Sequence, residues 1–181
     1  MMRTPSRAVL LAAAGLGVAS LGAWALGSAG CAYSTAAVAL PPHLKSIAIP
    51  QFENSTNEYT LEQDLTTAVV DRFVADNHLK VVDERSADAV LRGRITQYHN
   101  SVFGISPQNL AQEYRVTIAV SVTLKDQVKN RELWNDDNLV KTANYYVQNV
   151  PGQEASTELD GRKNAIAKIA DEILARSVQG W

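Results

Sequence analysis

The side chains of this 181-residue chain that could do chemistry are three histidines, one cysteine, its carboxylates and a cluster of basic residues. His43, His78 and His99 are too far apart to form a metal motif, and none neighbours the cysteine or completes H-E-x-x-H. They read as surface histidines. No G-x-S-x-G, S-x-x-K or glycine-rich phosphate loop occurs. Cys31 would need a base held beside it to act as a nucleophile, and its surroundings offer none. Glu62, Asp64 and Asp71 fall at solvated helix positions, and a glycosidase-type pair would depend on separation in space. The expectation is a protein that is not an enzyme, with no metal and no cofactor. The remaining candidates are basic: Arg92 and Arg94, two apart; Arg115 and Lys125 on the next alternating segment; Lys129 and Arg131 in the turn after it. Such groups could hold the phosphates or carboxylates of an anionic ligand, with Arg giving bidentate contact. The competing reading is a solvated sheet face charged for solubility.

Those basic residues need strands to align them. Tyr114, Val116, Ile118, Val120, Val122 and Leu124 alternate with Arg115, Thr117, Ala119, Ser121, Thr123 and Lys125. A strict period of two predicts a strand with one buried face. Residues 88–100 alternate in the same way, with Leu91, Gly93 and Ile95 opposite Arg92, Arg94 and Thr96. A charged hairpin tip at Asp126–Arg131 leads to a returning strand, Leu133 to about Val147, whose alternation slips near Asp136-Asp137 and predicts a bulge. Short strands are expected around Ile47 and Ile49 and at Leu79–Val82, and a long loop over Ser101–Gln112.

Two helices complete the pattern. Thr60-Leu61-Glu62-Gln63 matches a capping box, and Leu61, Leu65, Ala68, Val69 and Phe73 follow at helical spacing until Asp76-Asn77. A second helix starts at Ser156 or Thr157 and carries Leu159, Ile166, Ile169, Ala170, Ile173 and Leu174 to about Val178. One-sided strands need cover, and amphipathic helices supply it. The predicted fold is an α+β two-layer sandwich: a mostly antiparallel sheet of about four strands with both helices on one face. The basic residues then lie on the open face.

Residues 8–27 carry no charge, Arg3 and Arg7 precede them, and the next charged residue is Lys45. This is the pattern of a secretory signal. Small residues Ser28, Ala29 and Gly30 lead directly into Cys31, the only cysteine. One cysteine excludes an internal disulfide framework. The segment resembles the signal peptide of a bacterial lipoprotein, whose cysteine becomes the acylated first residue; Ser28 stands where that pattern usually has Leu. An uncleaved membrane anchor is the rival reading, since 20 uncharged residues can span a bilayer. Both readings export the rest of the chain. The expected organisation is a signal peptide over 1–30, a lipidated tether over 31–42 stiffened by Pro41-Pro42, and a single domain over 43–181. After processing, 15 of the 17 basic groups remain against all 19 acidic ones, a net charge of −4. Such a balance argues against nucleic acid, which demands a basic surface.

Several stretches together resemble the LptE family of lipopolysaccharide-assembly lipoproteins. They are Cys31-Ala32-Tyr33-Ser34; Leu40 to Pro50 with Phe52-Glu53-Asn54; Leu61 to Thr66; Ala87 to Ile95; Glu113 to Val116; and Leu133-Trp134. The resemblance covers most of residues 31–181. It implies a sheet packed by two helices and non-enzymatic work as a plug inside the LptD barrel. It also implies lipopolysaccharide as ligand, with contacts among Arg92, Arg94, Arg115, Lys125, Lys129 and Arg131. Ala32, where an Asp would favour retention in the inner membrane, implies lipid anchoring at the periplasmic face of the outer membrane. The stretch Ile47-Ala48-Ile49-Pro50 with Phe52-Glu53-Asn54 also resembles LpoB-like activators of cell-wall synthases and CsgG-like secretion subunits. A carrier with no barrel partner is a third possibility.

Overall fold

A computed structural model describes residues 40–105, 111–147, 152 and 154–178. In chain order the elements are β1 (Ser46–Ala48), β2 (Glu53–Asn54), α1 (Leu61–Asp76), β3 (Lys80–Val81), β4 (Ala89–Ile105), β5 (Ala111–Asp126), β6 (Arg131–Tyr146) and α2 (Glu158–Val178). The signal segment, Cys31 and most of the tether lie outside the described residues. No described helix is long and apolar enough to cross a membrane.

Among the described residues one open sheet has six strands, in the order β3-β1-β4-β5-β6 with β2 pairing β4 beside that path. The expectation of about four strands is corrected. The additional strands are two or three residues long, and each parallel pairing spans only two residue pairs. Two of them, β1 and β3, fall where short strands were expected; β2, two residues in a polar stretch, had no legible alternation. The antiparallel ladders β4–β5 and β5–β6 run nearly the length of their strands. The loop expected over Ser101–Gln112 is corrected too. Residues 101–105 extend β4 and residues 111–112 open β5, while 106–110 lie outside the described residues. Val102 and Ile105 are exposed there, so no buried alternation marked them as strand.

The period-two run behaves as its pattern requires. Val116, Ile118, Val120, Val122 and Leu124 have no exposed surface. They join Leu91 and Ile95 of β4, Leu61, Leu65, Val69 and Phe73 of α1, and Ile166, Ile169 and Ile173 of α2 in one hydrophobic cluster. Each fully buried large aliphatic or aromatic side chain contributes roughly 1.5–3 kcal/mol. Gly93 permits the closest approach in this core, for a Cβ there would lie 2.1 Å from the Phe52 ring.

Helix ends show which local signals acted. Asn77 closes α1 in the left-handed conformation (φ 59°), its N–H bonded to the Phe73 carbonyl, as an Asn cap should. The capping box does not form. Thr60 itself is left-handed (φ 66°), and its side chain makes no cap bond; only its carbonyl engages, accepting from the N–H groups of Gln63 and Asp64. Helix α2 has its cap at Thr157, whose N–H and hydroxyl both donate to Asp160 Oδ2. Leu159, expected on the apolar stripe, is instead 49 % exposed.

Candidate functional site

The pleat of β4 and β5 decides which side chains face away from the helices. Register pairs Arg92 with Thr123 and Arg94 with Ser121. Their neighbours Leu91, Ile95, Val122 and Leu124 are buried on the other side, so Arg92, Arg94, Ser121, Thr123 and Lys125 share the open face. Strand β6 continues it with Asn135, opposite Thr123, and with Thr142 and Asn144, opposite Thr117 and Arg115.

Two adjoining grooves run along this face. One, about 450 Å³, is lined by Val90, Arg92, Thr123, Lys125, Gln127 and Asn130. The other, about 510 Å³, is lined by Glu53, Arg92, Gly93, Arg94, Thr96, Ser121 and Thr123. Arg92 and Thr123 belong to both. Hydroxyls, amides and guanidinium groups dominate, and that combination binds anionic oxygen ligands through charge-assisted hydrogen bonds.

The six basic residues singled out from the sequence do not form one cluster. Arg92, Arg94 and Lys125 gather along the grooves. Lys129 and Arg131 stand at the hairpin tip, where Arg131 Nε lies 3.7 Å from the Asp126 carboxylate. Arg115 is at the far end of β5, and ten residues at roughly 3.3 Å each place it about 33 Å from Lys125. There its guanidinium lies 3.3 Å from the Phe103 ring centroid and its Nε donates to Asn144 at 2.9 Å. Arg92 is paired with Glu84, and Arg94 with Glu53 at 2.5 Å. Lys125 and Lys129 form no ion pair among the described residues. All four arginine and glutamate partners in the two pairs are about half exposed or more, so an incoming anion competes with a loosely held carboxylate.

The hairpin tip is built on a buried acid. Asp126 has no exposed surface; it accepts from His43 Nε2 at 2.8 Å and from the Lys129 N–H at 2.9 Å. Burial by itself would raise its carboxyl, but the Lys129 N–H and the His43 ring outweigh burial and hold it below the usual range. Nearby, Asp88 accepts from the N–H groups of Lys45 and Ser46 and from the Ser46 hydroxyl, which lower its carboxyl as well. These bonds tie the segment after the tether to the start of β4 and to the tip of the β5–β6 hairpin.

A polar network missed by sequence reasoning joins α2 to β4. Tyr98 donates to Glu158 at 2.5 Å; Arg162 pairs with Glu58, and its guanidinium lies 5.4 Å from the Tyr98 ring centroid. Burial, then the Glu158 hydrogen bond, pushes the Tyr98 hydroxyl far above its ordinary range. Tyr98 reaches this face because the register of β4 slips between Ile95 and Gln97. A further groove of about 450 Å³ lies between the helices, lined by residues including Asp64, Asp71, Arg72 and Lys163. No three metal-binding side chains converge among the described residues.

A family model described as LptE, lipopolysaccharide-assembly, matches residues 44–177. No curated protein sequence matches the chain. Among solved structures, the hypothetical protein CT253 of Chlamydia trachomatis superposes with a TM-score of 0.53 at 11 % identity, covering 73 % of this chain and 94 % of that one. The protein XCC0632 of Xanthomonas campestris gives 0.52 at 11 % identity, covering 77 % and 89 %. A minor lipoprotein of Acinetobacter baumannii gives 0.48 at 17 % identity, covering 75 % and 92 %. At these identities the first two share the fold alone.

Proposed function

The chain belongs to the LptE family of lipopolysaccharide-assembly proteins, and from that premise we propose that it is a non-enzymatic outer-membrane lipoprotein that seats in an LptD-like β-barrel and binds lipopolysaccharide. On this reading residues 1–30 are a cleaved signal, Cys31 carries the lipid at the periplasmic face, 31–42 form the tether and 43–181 the domain. The domain works as a two-layer sandwich, its helices covering one side of the sheet and its other side left to partner and ligand.

The observation that carries the reading is that uncovered face. It is hydroxyl-, amide- and arginine-rich over much of β4, β5 and β6, and is closed at the start of β4 by the small apolar cluster of Ala48, Ala87 and Val90. A wide barrel has a polar lumen, which such a face can fill without burying apolar surface against water. Phosphates of lipopolysaccharide suit Arg92, Arg94 and Lys125 along the grooves. Arg115 is too distant to touch the same phosphate, and Lys129 and Arg131 approach only from the tip. The tether joins at Leu40, which packs against the core, so the lipid would hold the domain close to the membrane.

Titration of purified lipopolysaccharide against the full-length protein tests the ligand half. The double reversal Arg92→Glu with Lys125→Glu is expected to weaken binding about tenfold or more, since each removes a charge-assisted contact. Arg115→Glu is expected to weaken it far less. Unchanged binding by the double variant would reject the groove as the contact.

A further inference from the structure

A third crevice, about 320 Å³, opens where β2 ends, lined by Ser55, Thr56, Asn57, Glu58, Gln97 and Tyr98, with Thr96 at its edge. Its loop is held in one shape from below. Asn54 Nδ2 donates to the Glu58 carbonyl at 2.7 Å and to Glu62 Oε2 at 2.9 Å, while its Oδ1 accepts from the N–H and the hydroxyl of Thr56. Arg162 fixes Glu58. Next in the chain, Tyr59 is 87 % exposed, the most exposed large side chain of the described core-forming types. Thr60 follows in the left-handed conformation without a cap bond, a strained geometry for a β-branched residue and one that gathers at ligand-gripping loops.

The lining is chemically one-sided. It offers two amides, three aliphatic hydroxyls, a phenol and a carboxylate, and no cation; the phenol, the carboxylate and the Thr56 hydroxyl are already engaged by Glu158, Arg162 and Asn54. An anion has nothing to pair with there. A neutral ring rich in hydroxyls does, since each hydroxyl both donates and accepts, and Tyr59, next in the chain to Glu58 of the lining, is an exposed aromatic of the kind on which a sugar's apolar face stacks. Thr96 lines both this crevice and the groove of Arg92 and Arg94. The cationic groove and this cation-free crevice therefore adjoin at Thr96.

We infer that this crevice is a saccharide subsite, in which Tyr59 stacks on a neutral sugar ring and Gln97 and Asn57 bind its hydroxyls, next to the basic groove that takes the phosphates. Only the source of the sugar, the core of lipopolysaccharide, rests on the functional reading above; the glycan of the cell wall has the same chemistry.

The test is ligand-observed NMR on the full-length protein in detergent with two probes: lipid-free, dephosphorylated core oligosaccharide, and peptide-free cell-wall glycan fragments. Wild type is compared with Tyr59→Ala and Gln97→Ala, both exposed positions. At least one probe is expected to bind, and each variant to weaken it roughly fivefold. The probe that binds identifies the source. Binding of either probe that neither variant alters would overturn the subsite. Failure of both probes while intact lipopolysaccharide still binds would overturn the subsite and leave the functional reading standing; failure of intact lipopolysaccharide as well would overturn both.

Discussion

Asp126 illustrates how much of this protein's chemistry is decided one side chain at a time. It is buried and ionised because the Lys129 N–H and His43 replace the water it loses. Asp126→Ala should cost about 2 kcal/mol by urea denaturation, through a stranded N–H and a freed tether root. The acid side of the stability curve follows from the same group. Asp126, Asp88, Asp160 and Glu172 all have carboxyls lowered in the folded chain. The unfolded chain therefore takes up protons first as pH falls below about 4, the ordinary carboxylate range. Their stabilisation is present in full above that range and is lost as pH falls through the folded values. Melting temperature should be flat from pH 7 to 5 on their account and drop below about 4, less steeply in Asp126→Asn. Gly93 is a second single-residue case: Gly93→Ala drives a methyl into the Phe52 ring and should destabilise by about 2–3 kcal/mol in the same assay. Neither residue announced its role in the sequence. His43 and Asp126 are 83 positions apart, and Arg94 and Glu53 are 41 apart, so their pairing exists only once β1, β2, β4 and β5 are assembled in one sheet.

At the scale of elements, periodicity was legible wherever an element was long and one-sided. The alternation of residues 114–125 became β5, and the slip near Asp136-Asp137 became the register shift of β6 against Val120 and Val122. Periodicity fails where burial is not one-sided: β4 continues through exposed Val102 and Ile105, and β2 is two residues long in a polar stretch. The capping-box motif misled because Thr60 takes a left-handed backbone, in which its hydroxyl makes no cap bond. Thr60→Gly removes that strain, so it should raise stability by about 1 kcal/mol, read as an increase in the urea midpoint with an unchanged slope. The outer edge of β6 is engaged at three places. Lys168 donates to the Thr142 carbonyl, Ser156 donates its N–H to the Tyr146 carbonyl and accepts from the Tyr146 N–H through its hydroxyl, and Arg176 ties the bulge at Asp136 to α2. Edges closed in this way resist pairing with other chains.

For the molecule as a whole, a mixed fold of two helices and an open sheet was legible from the one-sided strands and the two amphipathic segments. The division of the basic residues was not. Six cations look like one patch in a sequence, but β5 is long enough to carry Arg115 away from the grooves, Glu53 comes from a distant segment to occupy Arg94, and Glu84, eight residues upstream, occupies Arg92. The face left open by the helices is too extensive and too polar for a core, and it is the surface that the proposed barrel would cover. Recovery of partners on the full-length protein from detergent-solubilised envelope, with the captured proteins identified and quantified by mass spectrometry, tests that claim most directly. The account predicts a large outer-membrane β-barrel protein at near-equal amount, reduced when the open face carries the Arg92→Glu and Lys125→Glu reversals. Capture of a cell-wall synthase, or of no stable partner, would contradict it.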